Sequence, residues 1–132
     1  MVYTKFDLTG RRCLVLDDEF LIALDIQQIL EGAGASHVAC VATADEALAL
    51  VRRGTKFDVA VLDVKLNGAD GDSLGVAQML TTKGTPIVFL TGMRVDDVHA
   101  KLFSDAPVVE KPYETTTLLE AVRRAIDRDR DR

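Results

Sequence analysis

Three consecutive acids, Asp17, Asp18 and Glu19, follow directly on the apolar run CLVL at residues 13–16. A folded chain that keeps like charges side by side either solvates them at a helix start or sets a cation among them. A further acid, Asp63, ends the run DVAVLD at 58–63; Thr91 ends another, and Lys111 follows a short one. Asp17, Asp18 and Asp63 brought together would form a dense negative cluster at neutral pH, so one must protonate or a cation must join them. All-oxygen ligation with positions left for water suits Mg²⁺. A carboxylate beside Mg²⁺ and a lysine is suited to accept a phosphoryl group, because metal and ammonium neutralise the charge developing on it. Thr91, a neutral donor, suits a bond to a phosphoryl oxygen. There is no Ser-His-Asp pattern, and His37 and His99 fall away from these positions.

Each residue alone has a plainer reading. Asp18 could cap the following helix, and Asp63 could begin the turn through LNGADG. Thr91-Gly92 could be an ordinary strand exit, and Lys111 a surface lysine. The conjunction carries the weight: acids, a hydroxyl and an ammonium end four separate apolar runs, and these types complement one another.

The elements that must hold these residues are legible as an alternation. The apolar runs are CLVL (13–16), HVACV (37–41), DVAVLD (58–63), PIVFL (86–90) and PVV (107–109). Several are apolar at consecutive positions, the pattern of parallel strands covered on both faces. Between them lie stretches of helical period. Ile22, Ile26 and Ile29 carry the first helix, which Gly32 and Gly34 end. Thr43 and Glu46 form a capping box before Ala44, Ala47, Leu48 and Val51. Leu74 to Lys83 reads as a helix, Val95 to Phe103 as a short, weakly patterned one, and Leu118, Ala121, Val122 and Ala125 as the last. Five strand–helix repeats predict an α/β fold, a parallel sheet with helices on both faces. Ligands of such sheets bind outside the carboxyl ends of the strands, where the singled-out residues fall.

Composition is consistent with one domain over 1–132, its core at about 12–126, with a polar lead and a charged DRDRDR end that reads as a solvated, fraying helix terminus. A net charge of -5 argues against a nucleic-acid surface. No apolar stretch approaches the roughly 18 residues that span a bilayer, and MVYTKFDLTGRR is neither signal peptide nor anchor. Cys13 and Cys40 lie in apolar runs without metal-type spacing and read as reduced, buried thiols of a cytoplasmic protein.

The ordered set LVLDDE, VLDVKL, VFLTG and EKPY, over about Arg12 to Ile126, resembles the receiver domains of bacterial two-component response regulators. The resemblance implies a flavodoxin-like (βα)5 fold with strand order 2-1-3-4-5. It implies Asp63 as phosphoryl acceptor, Thr91 as switch hydroxyl and Lys111 as phosphate-binding lysine, with a cis Lys111-Pro112 bond aiming the lysine at the site. Mg²⁺ would be bound by Asp18, by Asp17 mainly through water, by Asp63 and by the Lys65 backbone carbonyl. Glu19 is read as first-turn helix stabilisation rather than a ligand. The implied donor is a phosphohistidine on a sensor histidine kinase or histidine phosphotransfer protein. The implied protein is a phosphoryl acceptor with slow self-dephosphorylation rather than an enzyme. It would act on a downstream protein target, shuttle phosphate or drain it from a kinase. Homodimerisation through the last helix-strand-helix face is within the family's repertoire.

Two departures bear on mechanism. Val108 stands where the family often carries Tyr or Phe, so the usual threonine–aromatic coupling is absent or taken over by Met93 or Phe103. PIVFLTGM resembles the P-F-x-F-A-T-G-aromatic stretch of a subgroup of single-domain receivers, matching at Pro86, Phe89, Thr91 and Gly92 only. Lys65 and Met93, two positions after the acceptor and the switch residue, are expected to set the aspartyl-phosphate lifetime. A stand-alone receiver is favoured over one excised from a hybrid kinase, although LTGRRCLVLDDE resembles the join before a fused receiver. A phosphatase of the haloacid-dehalogenase type ranks lower, since Asp63-Val64-Lys65 lacks its Asp-x-Asp and no cap domain fits. A degenerate receiver serving only as scaffold is argued against by the intact Asp17, Asp18, Asp63, Thr91 and Lys111 set.

Overall fold

Five short parallel strands make one sheet in the computed structural model, which describes residues 6–64, 72–92 and 106–130. The strands are β1 (Arg12–Leu16), β2 (His37–Val41), β3 (Val59–Asp63), β4 (Ile87–Thr91) and β5 (Val108–Glu110). Among the described residues four helices accompany them: α1 (Phe20–Gly32), α2 (Ala44–Arg52), α3 (Asp72–Thr82) and α4 (Thr115–Arg130). The spatial order is β2-β1-β3-β4-β5, the flavodoxin-like arrangement expected above. The helix expected over 95–103 lies outside the described residues.

Consecutive apolar positions build a core on each side of the sheet, because successive strand residues point to opposite faces. Cys13, Val15, Val59, Val61, Val88, Leu90 and Val109 face α1 and α4. Leu14, Leu16, Ala60, Leu62, Ile87 and Phe89 face α2 and α3. Leu14 and Leu62 are fully buried, each contributing roughly 1.5–3 kcal/mol through removal of apolar surface from water. β1, β3 and β4 are therefore apolar at consecutive positions over 13–16, 59–62 and 87–90, which is why they read as runs.

The helices follow their patterns closely. The Thr43 hydroxyl accepts from the Glu46 amide at 3.2 Å while the Glu46 carboxylate accepts from the Thr43 amide at 3.1 Å, closing the expected capping box. α4 buries Leu118, Ala121, Val122 and Ala125 as expected, adds Ile126, and runs to Arg130. In α1 the buried stripe is Ala23, Ile26 and Leu30, with Ile22 and Ile29 at its margins. Gly34 follows this helix at φ +106°; a Cβ there would lie 3.0 Å from Asp7 Oδ1 and Thr9 Oγ1, so the position admits only glycine.

Two expectations require correction. The N-terminal lead is not merely polar, since Leu8 is fully buried in the α1/α4 core and its amide bonds the Ala33 carbonyl at 2.8 Å. A single leucine between Asp7 and Thr9 has no periodic partner, so pattern alone cannot place it. β2 is an edge strand, half-covered, and its Cys40 is exposed; only Cys13 is a buried thiol. No described helix is long and apolar enough to cross a membrane.

Candidate functional site

Strand register brings the chemistry together. Leu16 pairs with Leu62, so Asp17 and Asp63 fall side by side one step further on. Asp63 pairs with Leu90, which sets Thr91 one residue beyond, and Thr91 pairs with Glu110, which sets Lys111 beyond that. Four strand ends thus deliver four of the candidate residues to one edge of the sheet, at a rise of roughly 3.3 Å per residue. The backbone is fixed there: the Asp17 amide donates to the Val41 carbonyl at 3.1 Å, and the Lys111 amide to the Thr91 carbonyl at 2.7 Å. The Lys111-Pro112 peptide bond is cis.

Asp17, Asp63 and Thr91 are 2%, 8% and 0% exposed, whereas Asp18 and Glu19 face solvent. One carboxylate oxygen from each of Asp17, Asp18, Glu19 and Asp63 lies within 4.8 Å of the others. The Lys111 ammonium reaches into this group, 3.2 Å from Asp63 Oδ1, 3.3 Å from Asp17 Oδ2 and 2.9 Å from Glu19 Oε1. Asp17 Oδ1 accepts the Glu19 amide at 2.9 Å. Its Oδ2, though close to Lys111, has no aligned donor and is buried without a hydrogen bond among the described residues. An orphaned buried carboxylate oxygen facing other carboxylates is a donor set that fits a hard divalent cation.

Charge balance explains the lysine. Burial alone pushes its ammonium toward the neutral form, but the Glu19 hydrogen bond and the Asp63 and Asp17 charges overcome this and hold it above the ordinary lysine range. It is therefore a fixed positive charge, suited to anionic oxygens at Asp63 and not to proton transfer. A buried carboxylate backed by that charge and by a cation-ready oxygen set can act as a nucleophile toward an electrophilic phosphorus.

Of the residues singled out in the sequence, Asp17, Asp18, Asp63, Thr91 and Lys111 fall at this edge. Lys65 and Met93 lie outside the described residues, as do Phe103 and His99. His37 begins β2 at the opposite end of the sheet. Val108 is half-buried and packs on the α2/α3 core. Glu19 departs from its expected role: it is the N-cap residue of α1, yet its side chain makes no capping bond and pairs with Lys111 instead. A second link passed unnoticed in the sequence, since Tyr113 donates its hydroxyl to Asp25 Oδ2 at 2.8 Å. EKPY contains this tyrosine, but nothing in local spacing connects it to a helix 88 residues earlier.

Comparison with known proteins agrees with the geometry. Residues 13–123 match the response regulator receiver domain. The phyllosphere-induced regulator PhyR of Methylorubrum extorquens is 25% identical over 115 residues, covering 86% of this chain and 42% of that protein. The transcriptional regulatory protein PdtaR of Mycobacterium tuberculosis is 28% identical over 123 residues, covering 92% and 59%. The chain thus spans about half the length of these curated relatives. A response regulator receiver protein from Sinorhizobium medicae superposes with a TM-score of 0.79 at 25% identity, covering 93% of this chain and 99% of that one. PhyR from Brucella abortus gives 0.73 at 25% identity, over 95% and 51%.

Proposed function

The chain belongs to the receiver-domain family of response regulators, and from that premise we propose that Asp63 accepts a phosphoryl group in a two-component phosphorelay. The observation that carries this reading is the placement of the Lys111 ammonium 3.2 Å from Asp63 Oδ1 within a cluster of four acids. An Asp63 oxygen attacks the phosphorus of a phosphohistidine on a sensor histidine kinase or phosphotransfer protein. The new O–P bond forms as the P–N bond breaks, and the imidazole leaves with the electron pair and takes up a proton. Lys111 holds one phosphoryl oxygen by charge, and the Thr91 hydroxyl bonds another. Mg²⁺ bound beside them would neutralise phosphoryl charge; Asp17, Asp18, Asp63 and the Lys65 carbonyl are the residues proposed to hold it. The phosphorylated chain then acts through a protein target or passes the group on.

A macromolecular donor is supported by Phe20 and Leu21, 74% and 76% exposed at the start of α1 directly after the acids. Large apolar side chains at the rim of a charged site suit a protein partner. Phosphotransfer from a panel of purified sensor kinases tests the reading. Label is expected on the wild type, to be lost in Asp63→Asn and on chelation of Mg²⁺. Label that survives the Asn substitution would remove Asp63 from its role, and transfer indifferent to chelator would contradict the metal assignment.

A further inference from the structure

We infer that Tyr113 is a positioning residue for Lys111, acting through its hydrogen bond to Asp25 on α1; this rests on the proposed phosphate-binding role of Lys111. Lysine carries its charge on a flexible four-carbon stem, so a lysine that must meet a small anion needs its backbone fixed. β5 gives little fixation, being a three-residue strand at the sheet's edge. Beyond it, among the described residues, a backbone bond from the Lys111 amide to the Thr91 carbonyl ties the residue to the sheet. The chain then turns through Pro112 to Tyr113, whose ring packs partly buried against the α1/α4 core.

The Tyr113 hydroxyl donates to Asp25 Oδ2 at 2.8 Å, and the Lys111 ammonium bonds Glu19 Oε1 at 2.9 Å. Both acceptors belong to one rigid unit, since Glu19 is the N-cap residue of α1 and Asp25 lies within that helix. The segment 111–113 is thereby fastened to α1 at its two ends. Only the Lys111 end must yield when a phosphoryl oxygen arrives. The Tyr113 end bonds Asp25, which is not one of the four clustered acids, and can stay closed, keeping the lysine backbone in place while its side chain exchanges Glu19 for phosphoryl oxygen. A bond that only stabilised the fold would act equally whatever residue stood at 111.

Phosphorylation by phosphoramidate with Mg²⁺, a small donor that needs no docking partner, provides the test. Rates are compared in the wild type, Tyr113→Phe, Asp25→Ala, Lys111→Met and the Tyr113→Phe/Lys111→Met double variant. Tyr113→Phe is expected to slow acceptance by about fivefold, the scale of one lost hydrogen bond, with Asp25→Ala reproducing it. In the Lys111→Met background Tyr113→Phe should have no further effect. A wild-type rate in Tyr113→Phe, or an equal slowing in both backgrounds, overturns the inference. A wild-type rate in Lys111→Met overturns the role of Lys111 itself, and is read in its own arm. Where Lys111→Met accepts nothing, the paired Hε resonances of Lys111 in the unphosphorylated protein decide. They should collapse toward a single free-lysine value in Tyr113→Phe, and wild-type separation would overturn the inference.

Discussion

The Lys111 ammonium lies closer to Glu19 Oε1, at 2.9 Å, than to Asp63 Oδ1 at 3.2 Å or Asp17 Oδ2 at 3.3 Å. Its charge is thus shared among three acids, of which Glu19 is the most exposed and the most readily surrendered. In Glu19→Ala the lysine loses the contact that most offsets its burial, so its titration shifts downward while Asp63 and Asp17 still hold it charged near neutrality. Stability should change by less than about 1 kcal/mol, the scale of a solvent-facing pair. NMR titration of the lysine side chain and urea unfolding check the two halves. An unmoved titration would show that the Glu19 contact is not formed in solution.

Among the described residues Asp63 is clustered with three other acids, whose mutual repulsion is relieved when one of them loses its charge before any cation binds. Asp63→Asn keeps the oxygen facing Lys111 and removes the charge. It is expected to raise the stability of the metal-free protein by on the order of 1 kcal/mol. Mg²⁺ at about a hundred times its dissociation constant should stabilise the wild type by about 2.7 kcal/mol, and the Asn variant by less. Urea unfolding with and without Mg²⁺ reads both, and a wild type indifferent to the ion would exclude the site.

Phe20 and Leu21 are large, apolar and exposed beside the acids. Phe20→Ser with Leu21→Ser should weaken transfer from a cognate kinase about tenfold or more, as loss of an apolar anchor does at interfaces. Acceptance from phosphoramidate should be unchanged, because neither side chain is among the groups that surround Asp63. Loss of both activities would place the damage in the site, not at a docking face.

The fold was readable where physics is local and repetitive. β1, β3 and β4 are covered on both faces, so their consecutive apolar residues carry a strong signal, and the Thr43–Glu46 cap closes within four residues. The strand-end residues could be gathered because parallel topology returns every strand end to one edge. What escaped depended on distant partners. Leu8 has no period, Cys40 is exposed because β2 is an edge, and Tyr113–Asp25 joins residues 88 positions apart. Glu19 misled because acids at helix starts ordinarily serve the helix, whereas here a lysine held at the end of β5, three strands along the sheet from β1, competes for its carboxylate.

Alkaline stability separates the two cysteines. Cys13 is fully buried in β1, and burial, then the Asp58 charge, pushes its thiol up to about 12 against a partial offset from Arg11. The unfolded thiol loses its proton from about pH 9 upward while the native one keeps it, so the native state binds more protons. Stability is then unaffected below pH 9 and falls between 9 and 12, at about 1.4 kcal/mol per pH unit. Lys111 and Tyr113, also shifted upward, begin to act only above their own higher unfolded values, and Cys40 shifts the same way while facing solvent. Cys13→Ala should therefore flatten the curve. Urea unfolding at pH 8 and pH 10.5 is expected to show the wild type losing about 2 kcal/mol more than the variant over that span. Iodoacetamide should label Cys40 in the native protein and reach Cys13 only on unfolding. Equal losses of stability in both proteins would mean that β1 opens to solvent at its Cys13 position and that the buried strand ahead of the acids is not held as described.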